Sequence, residues 1–150
     1  MANPVLREYV VAVSEDAEVV GSICTGALIL GAAGLLEGRR ATTHWACRRF
    51  LERLGATYVP ERWVEDGKFI TSAGVSAGID MALELLARLT DEATSRFVQL
   101  SIEYDPQPPF GGIDWKAVDR DMWLPAFTQS MSDELADDPV LRARLVADVA

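Results

Sequence analysis

Apolar side chains along this chain follow two spacings, one typical of helices and one typical of buried strands. In residues 4–17 they recur every three or four positions, which predicts a helix with Asn3 as its N-cap. Residues 19–23 form a short apolar run, and a buried strand is predicted there. Two further runs flank the pair Asp66-Gly67, which is a strong signal for a β-hairpin. The first half of the chain therefore combines helical and extended segments.

The same spacings place helices and strands in alternation up to about residue 104. Helices are predicted over 25–36, 45–54, 75–89 and 92–104, the last one capped by Asp91, and strands over 40–43, 57–59, 62–65 and 68–71. This order predicts an α/β fold, a doubly wound and mostly parallel sheet with helices on both faces. Helices over 115–131 and 138–149 are predicted beyond it. We therefore expect an α/β domain over 1–112 and a helical C-terminal extension over 113–150.

Composition and charge narrow the class of protein. With 150 residues, 49% of them hydrophobic, the chain can form one globular domain with a real core. Its net charge of −9 argues against nucleic-acid or anionic-membrane partners, which bind basic surfaces. Two cysteines and one histidine cannot supply a disulfide framework or a His-rich metal site. Since no apolar run resembles a secretion signal or a membrane span, a soluble cytoplasmic protein is expected.

Cys24 stands at a junction between a predicted strand and a predicted helix. The run VGSICTGAL over residues 20–28 predicts a sharp turn that exposes the cysteine above the sheet. Ser22 and Gly26 flank it two positions away, where crowded backbones require small residues. The start of the helix supplies N–H groups and a positive dipole end that favour a thiolate. The pattern is that of a nucleophile elbow carrying sulfur, and a buried structural cysteine is the alternative.

Two other segments are expected to meet Cys24, because ligands of doubly wound sheets bind beyond the carboxyl ends of the strands. A cysteine nucleophile needs a group that handles its proton, and His44 is the only imidazole in the chain. A structural role for that histidine is the alternative. Residues that follow neighbouring strands are candidates for the pocket wall: Thr43, Ser72, Ala73 and Gly74. We expect Asp80 to complement a helix dipole and Cys47 to be a passive thiol.

Five blocks of the sequence, in this order, resemble the DJ-1/PfpI superfamily. They are SICTGAL (22–28), GLLEG (34–38), RATTHW (40–45), ITSAGVSAGID (70–80) and IEYDPQPPF (102–110). The branch they are most similar to is that of the isonitrile hydratases and the related effector domains of AraC-type regulators. The resemblance implies a flavodoxin-like fold of the class I glutamine amidotransferase type, and it spans roughly residues 4–110.

The resemblance also implies a reaction. In that family the elbow cysteine attacks the terminal carbon of an isonitrile, and water resolves the resulting thioimidate to an N-substituted formamide. By position, Cys24 is the nucleophile and Thr25 supplies its backbone N–H near the developing charge. The family implies no metal, no organic cofactor and a homodimer.

The chain departs from the family pattern ahead of Cys24. Members begin with a strand and a loop that carries an acidic residue bonded to the cysteine, followed by a Pro-Gly-Gly turn. Only 23 residues precede Cys24 here, so the chain resembles the C-terminal two-thirds of such a domain. The missing part could lie upstream or on another chain, a dimer could cover the gap, or the protein could be a degenerate relative. A carboxylate of the tail could also substitute: Asp114, Asp119 or Asp121.

Two classes of function stay open at this point. The first is a cysteine-dependent hydratase that acts on a small isonitrile. The second is a regulatory module, in which Cys24 is oxidised or binds a ligand without turnover. An exposed thiolate suits both, because a redox sensor and a nucleophile need the same electrostatic surroundings.

Overall fold

A computed structural model describes residues 1–147 of the chain. This part holds five strands, β1 (Val20–Ile23), β2 (Arg40–Ala41), β3 (Thr57–Tyr58), β4 (Trp63–Asp66) and β5 (Phe69–Ser72). It also holds seven α-helices, α1 (Pro4–Asp16), α2 (Ala27–Ala32), α3 (Arg48–Arg53), α4 (Val75–Leu89), α5 (Glu92–Ser101), α6 (Leu124–Glu134) and α7 (Pro139–Val146). Short 3₁₀ turns at Cys24–Gly26 and Trp45–Cys47 precede α2 and α3. The α/β fold is confirmed.

The strands form two sheets that side chains join. In the larger sheet the order is β1-β5-β4, with β1 parallel and β4 antiparallel to β5, while β2 and β3 form a parallel pair. The Arg40 backbone N–H donates to the Asp66 carboxylate at 2.9 Å. The Thr42 N–H donates to Thr71 Oγ1 at 2.8 Å. These bonds hold the end of β2 beside the larger sheet, so the carboxyl ends of β1, β2 and β5 lie on one side of the molecule.

Several predicted boundaries are confirmed because local chemistry sets them. The Asn3 side chain accepts the Leu6 N–H and begins α1, and Asp91 accepts the Thr94 N–H at 2.7 Å and begins α5. Helix α4 spans the predicted range. The predicted hairpin is present as β4 and β5, and its turn residue Gly67 has φ +62°, the left-handed conformation that such turns require.

Four predicted helices are shorter than expected. For the prediction over 45–54, α3 covers only Arg48–Arg53, and for 92–104, α5 ends at Ser101. Where 25–36 was predicted, α2 ends at Ala32, and Gly34 at φ +79° begins the turns that follow. The helix predicted over 115–131 is wrong for its first half. Asx-type bonds, in which Asp114 accepts the Lys116 N–H and Asp119 accepts the Asp121 N–H, hold that segment in turns. Helix α7 is present, while Val149, the predicted end, lies outside the described residues.

The core lies between α2, α3 and the C-terminal helices. Phe50, Leu51 and Leu54 of α3 and its end are fully buried. They belong to the same hydrophobic cluster as Leu135 and Leu145, which follow or lie in the two last helices and are also fully buried. Burial of a leucine or phenylalanine side chain contributes about 1.5–3 kcal/mol. The C-terminal segment therefore supplies part of the packing that supports β2 and the loop after it.

Candidate active site

Cys24 occupies the sharp turn between β1 and the 3₁₀ turn that leads into α2. Its φ is +58°, a left-handed conformation that is uncommon for a residue with a side chain. The cysteine is half-buried. The hydroxyl of Thr43, which is fully buried, donates to the Cys24 carbonyl at 2.9 Å. The end of β2 therefore helps hold the strained turn at the end of β1.

The tightest packing beside this turn is found at Gly78 and not at Gly26. A Cβ added at Gly26 would lie 3.6 Å from the Ser22 Cβ, which is an ordinary contact. A Cβ added at Gly78 would lie only 2.7 Å from Ile23 Cγ2, well inside the normal distance between carbons. Alanine would therefore fit at Gly26, and the prediction that residues at this position must be small is not contradicted. The close approach is that of α4 to the residue before Cys24.

His44 follows β2 and begins the 3₁₀ turn at Trp45–Cys47. Its Nδ1 accepts the Ala46 N–H at 3.4 Å, so the neutral ring carries its proton on Nε2. Burial lowers the pKa of this imidazole, which favours the neutral form at pH 7. Its ring packs against Trp45 and Phe127, at centroid distances of 5.4 and 6.2 Å. Among the hydrogen bonds of residues 1–147, none joins His44 to Cys24.

A cavity of about 390 Å³ opens at the carboxyl ends of β2 and β5. Four of the predicted site residues line it: Thr43, His44, Ala73 and Gly74. Ser72 lies beneath its wall, fully buried, and its hydroxyl has no hydrogen-bond partner. Cys24 and Thr25 do not line the cavity, and Thr43 connects Cys24 to it by donating to the Cys24 carbonyl. The structure thus brings the segment of Thr43 and His44 together with the segment of Ala73 and Gly74 at the cavity, whereas Cys24 is not part of its wall.

Other cavity residues were missed by the sequence analysis. They come from β3, the loop before β4 and the turns after residue 112: Tyr58, Pro60, Glu61, Arg62, Ile113, Trp115 and Arg120. Ile113, Trp115 and Arg120 lie in a segment that was predicted as helix or left unassigned, so no local pattern marked them as cavity residues. Asp80 accepts the Tyr104 hydroxyl at 2.7 Å and also pairs with Arg62 at the rim, so it does more than complement a helix dipole.

The surroundings of Cys47 make its thiol unreactive. Cys47 is fully buried. Burial, and then the charge of Cys24, raise the pKa of Cys47 to about 12, so its thiol stays protonated at neutral pH. Of the two cysteines, only Cys24 is open to a reagent.

The tail carboxylates have partners elsewhere. Asp121 binds Arg48 and Arg49 at 2.8 and 2.9 Å, and Asp114 and Asp119 accept backbone N–H groups. No hydrogen bond within residues 1–147 joins the Cys24 thiol to a carboxylate, so the expectation of a substitute acid from the tail is wrong. In this part of the chain, no three His, Cys, Asp or Glu side chains are grouped to hold a metal ion. Every described helix falls short of the length and apolarity that a membrane span needs.

The fold and the turn define a class of protein: an α/β domain that holds a half-buried cysteine in a left-handed turn between a parallel strand and a helix. Comparison with known proteins specifies the class further. A profile of the DJ-1/PfpI family matches residues 1–88. The chain belongs to this family.

The relatives extend the comparison along the chain. An isonitrile hydratase of Pseudomonas putida is 50% identical over 103 residues, which cover 69% of this chain and 45% of that protein. The transcriptional regulator CdhR of Pseudomonas aeruginosa is 41% identical over 88 residues, 57% of this chain and 26% of the regulator. A crystal structure of a ThiJ/PfpI family protein from Pseudomonas syringae superposes with a TM-score of 0.75 at 35% identity, covering 97% of this chain and 58% of the other. The chain spans about half the length of the hydratase and of the P. syringae protein.

Proposed function

We propose that this chain carries the nucleophile of a cysteine-dependent hydratase that converts a small isonitrile to an N-substituted formamide. The observation that carries the proposal is the conformation of Cys24, half-buried with φ +58° at the end of a parallel strand. The similarity to an isonitrile hydratase over 69% of the chain supports the choice of substrate. No metal or organic cofactor is part of this mechanism.

The proposed reaction has two steps. The Cys24 sulfur bonds to the terminal carbon of the isonitrile, and the proton of the thiol passes to that carbon, which gives a thioimidate. The oxygen of a water molecule then bonds to the same carbon and the carbon–sulfur bond breaks. One proton of the water goes to the nitrogen and the other to the sulfur, which gives the formamide and returns the thiol. The sum of the steps is the addition of one water molecule to the isonitrile.

Two neighbours are assigned to the movement of charge. We assign His44 to donate a hydrogen bond from Nε2–H to the thioimidate nitrogen, which makes its carbon more open to water, since Nδ1 of the neutral ring is held by the Ala46 N–H. We assign the backbone N–H of Thr25 to the charge that develops during attack, because the residue after an elbow nucleophile has this role. Thr43, which bonds the Cys24 carbonyl, is a positioning residue.

Turnover of benzyl isonitrile to N-benzylformamide, followed by NMR, tests the proposal. We expect Cys24→Ala to abolish formamide production and Cys47→Ala to retain it, because only the first thiol is open to the substrate. Cooperative thermal melting of both variants serves as the control for folding. Formamide production by Cys24→Ala, or none by the wild-type protein, would contradict the assignment.

A regulatory module is the second candidate, and the 41% identity to the regulator CdhR favours it. In that case Cys24 would be oxidised, or a ligand bound, without turnover. Treatment with hydrogen peroxide and mass spectrometry separates the two. A sulfenic acid on Cys24 that thiol reagents reverse, in a protein without hydratase activity, would support the sensor.

We further propose a homodimer, as the family resemblance implies. Strand β1 lies at the edge of its sheet, and Ile23, its last residue, is 46% exposed. Analytical ultracentrifugation over a concentration series measures the state directly. A monomer at every concentration would contradict the dimer.

A further inference from the structure

The cavity beside Cys24 has a volume and a lining suited to a small organic molecule. Its volume of about 390 Å³ lies within the range of roughly 300–1,000 Å³ in which small ligands bind. Much of its wall is apolar, with contributions from Trp45, Pro60, Ala77, Ile113 and Trp115. The Cys24 thiol is not part of that wall. The cavity can therefore hold a molecule, or a part of one, without reaction at the cysteine.

The charges at the cavity leave one cation without a carboxylate. Arg62 pairs with Asp80, and Glu61 lies 4.0 Å from Arg40. Arg120 also lines the cavity and is partly buried. Among the ion pairs of residues 1–147, none involves Arg120. Arg120 therefore places at the cavity a positive charge that none of these ion pairs balances.

The surroundings of Arg120 hold its guanidinium in place. The group lies over the Trp115 ring, 5.8 Å from the centroid, which is within the distance of a cation–π contact. Burial raises the pKa of the Tyr58 phenol, and the nearby Arg120 and Arg48, together with hydrogen bonds from Thr42 and Arg120, oppose that rise. Arg48 also donates to the Arg120 carbonyl at 2.9 Å. The Trp115 ring and the bond from Arg48 to the Arg120 carbonyl thus hold this cation at the cavity.

This combination of one fixed guanidinium and aromatic walls matches one chemical class. A guanidinium presents a planar fork of donors that fits a carboxylate in two parallel hydrogen bonds. Trp115 and Trp45, with ring centroids 6.4 Å apart, offer faces and edges to a planar apolar body. A polyphosphate would need several cations, whereas Arg62 at the rim is already neutralised by Asp80. A single carboxylate is enough to balance the charge.

We infer that this cavity binds a small aromatic or alicyclic monocarboxylate, with Arg120 on the carboxylate and Trp45 and Trp115 against the apolar body. The Cys24 thiol does not line this cavity, whereas His44, which is assigned to the proposed reaction, does; binding is therefore measured directly and not through turnover. Thr43 lines the cavity and bonds the Cys24 carbonyl, which gives the two sites a direct contact.

Titration with benzoate tests the inference, with ligand-observed NMR and tryptophan fluorescence as readouts. Benzamide, which has nearly the same shape and no charge, is the control ligand. We expect benzoate to bind about tenfold or more tightly than benzamide, as the loss of a charge-assisted bond predicts. Arg120→Gln is expected to weaken benzoate by about the same factor and to leave benzamide unchanged.

Matched variants separate the cavity from the cysteine and from general charge. Arg142→Gln makes the same change in charge at an arginine that bonds Ser132 and does not line the cavity, so benzoate affinity is expected to stay the same. Arg120→Lys is expected to restore part of the affinity, which would show that charge and not packing was lost. Cys24→Ala is expected to bind benzoate like the wild-type protein. Equal binding of benzoate and benzamide, no binding, or an unchanged affinity in Arg120→Gln would overturn the inference.

Discussion

Gly78 lies where α4 crosses β1, next to the residue that precedes Cys24. A Cβ at this position would lie 2.7, 3.0 and 3.2 Å from three side-chain carbons of Ile23, whereas carbon atoms pack best at about 3.5–4.0 Å. Overpacking of this kind costs about 1–3 kcal/mol. The better helix propensity of alanine offsets about 1 kcal/mol of it. We therefore expect Gly78→Ala to lower the free energy of unfolding by up to about 2 kcal/mol, although the same change stabilises most helix interiors.

Urea denaturation followed by circular dichroism measures this difference. Gly112→Ala is the matched control, because a Cβ there meets nothing within 4 Å, and a change below about 0.5 kcal/mol is expected. The double variant Ile23→Ala/Gly78→Ala removes the clash, so its cost should fall short of the sum of the single costs by about 1 kcal/mol. If the costs of the two single changes simply add in the double variant, the close approach of α4 to the cysteine turn is refuted.

Two further predictions concern the bonds that hold the site and the tail. Thr43→Val keeps the shape of the side chain but leaves the Cys24 carbonyl without its 2.9 Å donor, so urea denaturation should show a loss of about 1–3 kcal/mol. The control variant Thr90→Val removes a surface hydroxyl bonded to the Leu86 carbonyl, and it should lower the free energy of unfolding by less than about 0.5 kcal/mol. Equal losses in the two variants would contradict the argument. The Leu141 N–H, and after it Arg7, hold the pKa of Asp138 below its usual value. The ionised carboxylate therefore stabilises the fold above about pH 4, and this stabilisation is lost as the pH falls through the lowered pKa. Asp138→Asn should therefore flatten the acid limb of a stability–pH curve, and an unchanged limb would refute the assignment.

The features that the sequence predicted well are those that neighbouring residues determine. Asn3 and Asp91 cap their helices through their own side chains, and Gly67 supports its hairpin through backbone conformation. A sharp turn at Cys24 was predicted from small residues in a strand-to-helix run, and the structure shows that its φ is positive. Each of these depends on contacts within a few positions of the chain.

The features that the sequence did not predict depend on contacts between distant segments of the chain. Gly78 is required because of Ile23, 55 positions earlier in the sequence. Trp115 and Arg120 reach the cavity because Arg48 binds Asp121 and the Arg120 carbonyl, and a helical pattern cannot reveal such anchors. Ser72 was predicted to face the pocket, but it is fully buried beneath it. Pattern and motif thus located the cysteine and the edge of the sheet, while the cavity wall followed from tertiary packing.

The central claim is that Cys24 forms a covalent bond with an isonitrile. Acid quenching of the protein during reaction with benzyl isonitrile, followed by peptide mass spectrometry, tests it directly. The account predicts a mass increase of one isonitrile molecule on the Cys24 peptide and none on the Cys47 peptide, whose thiol is buried with a pKa of about 12. Formamide production without any adduct on Cys24, or an adduct on Cys47, would contradict it.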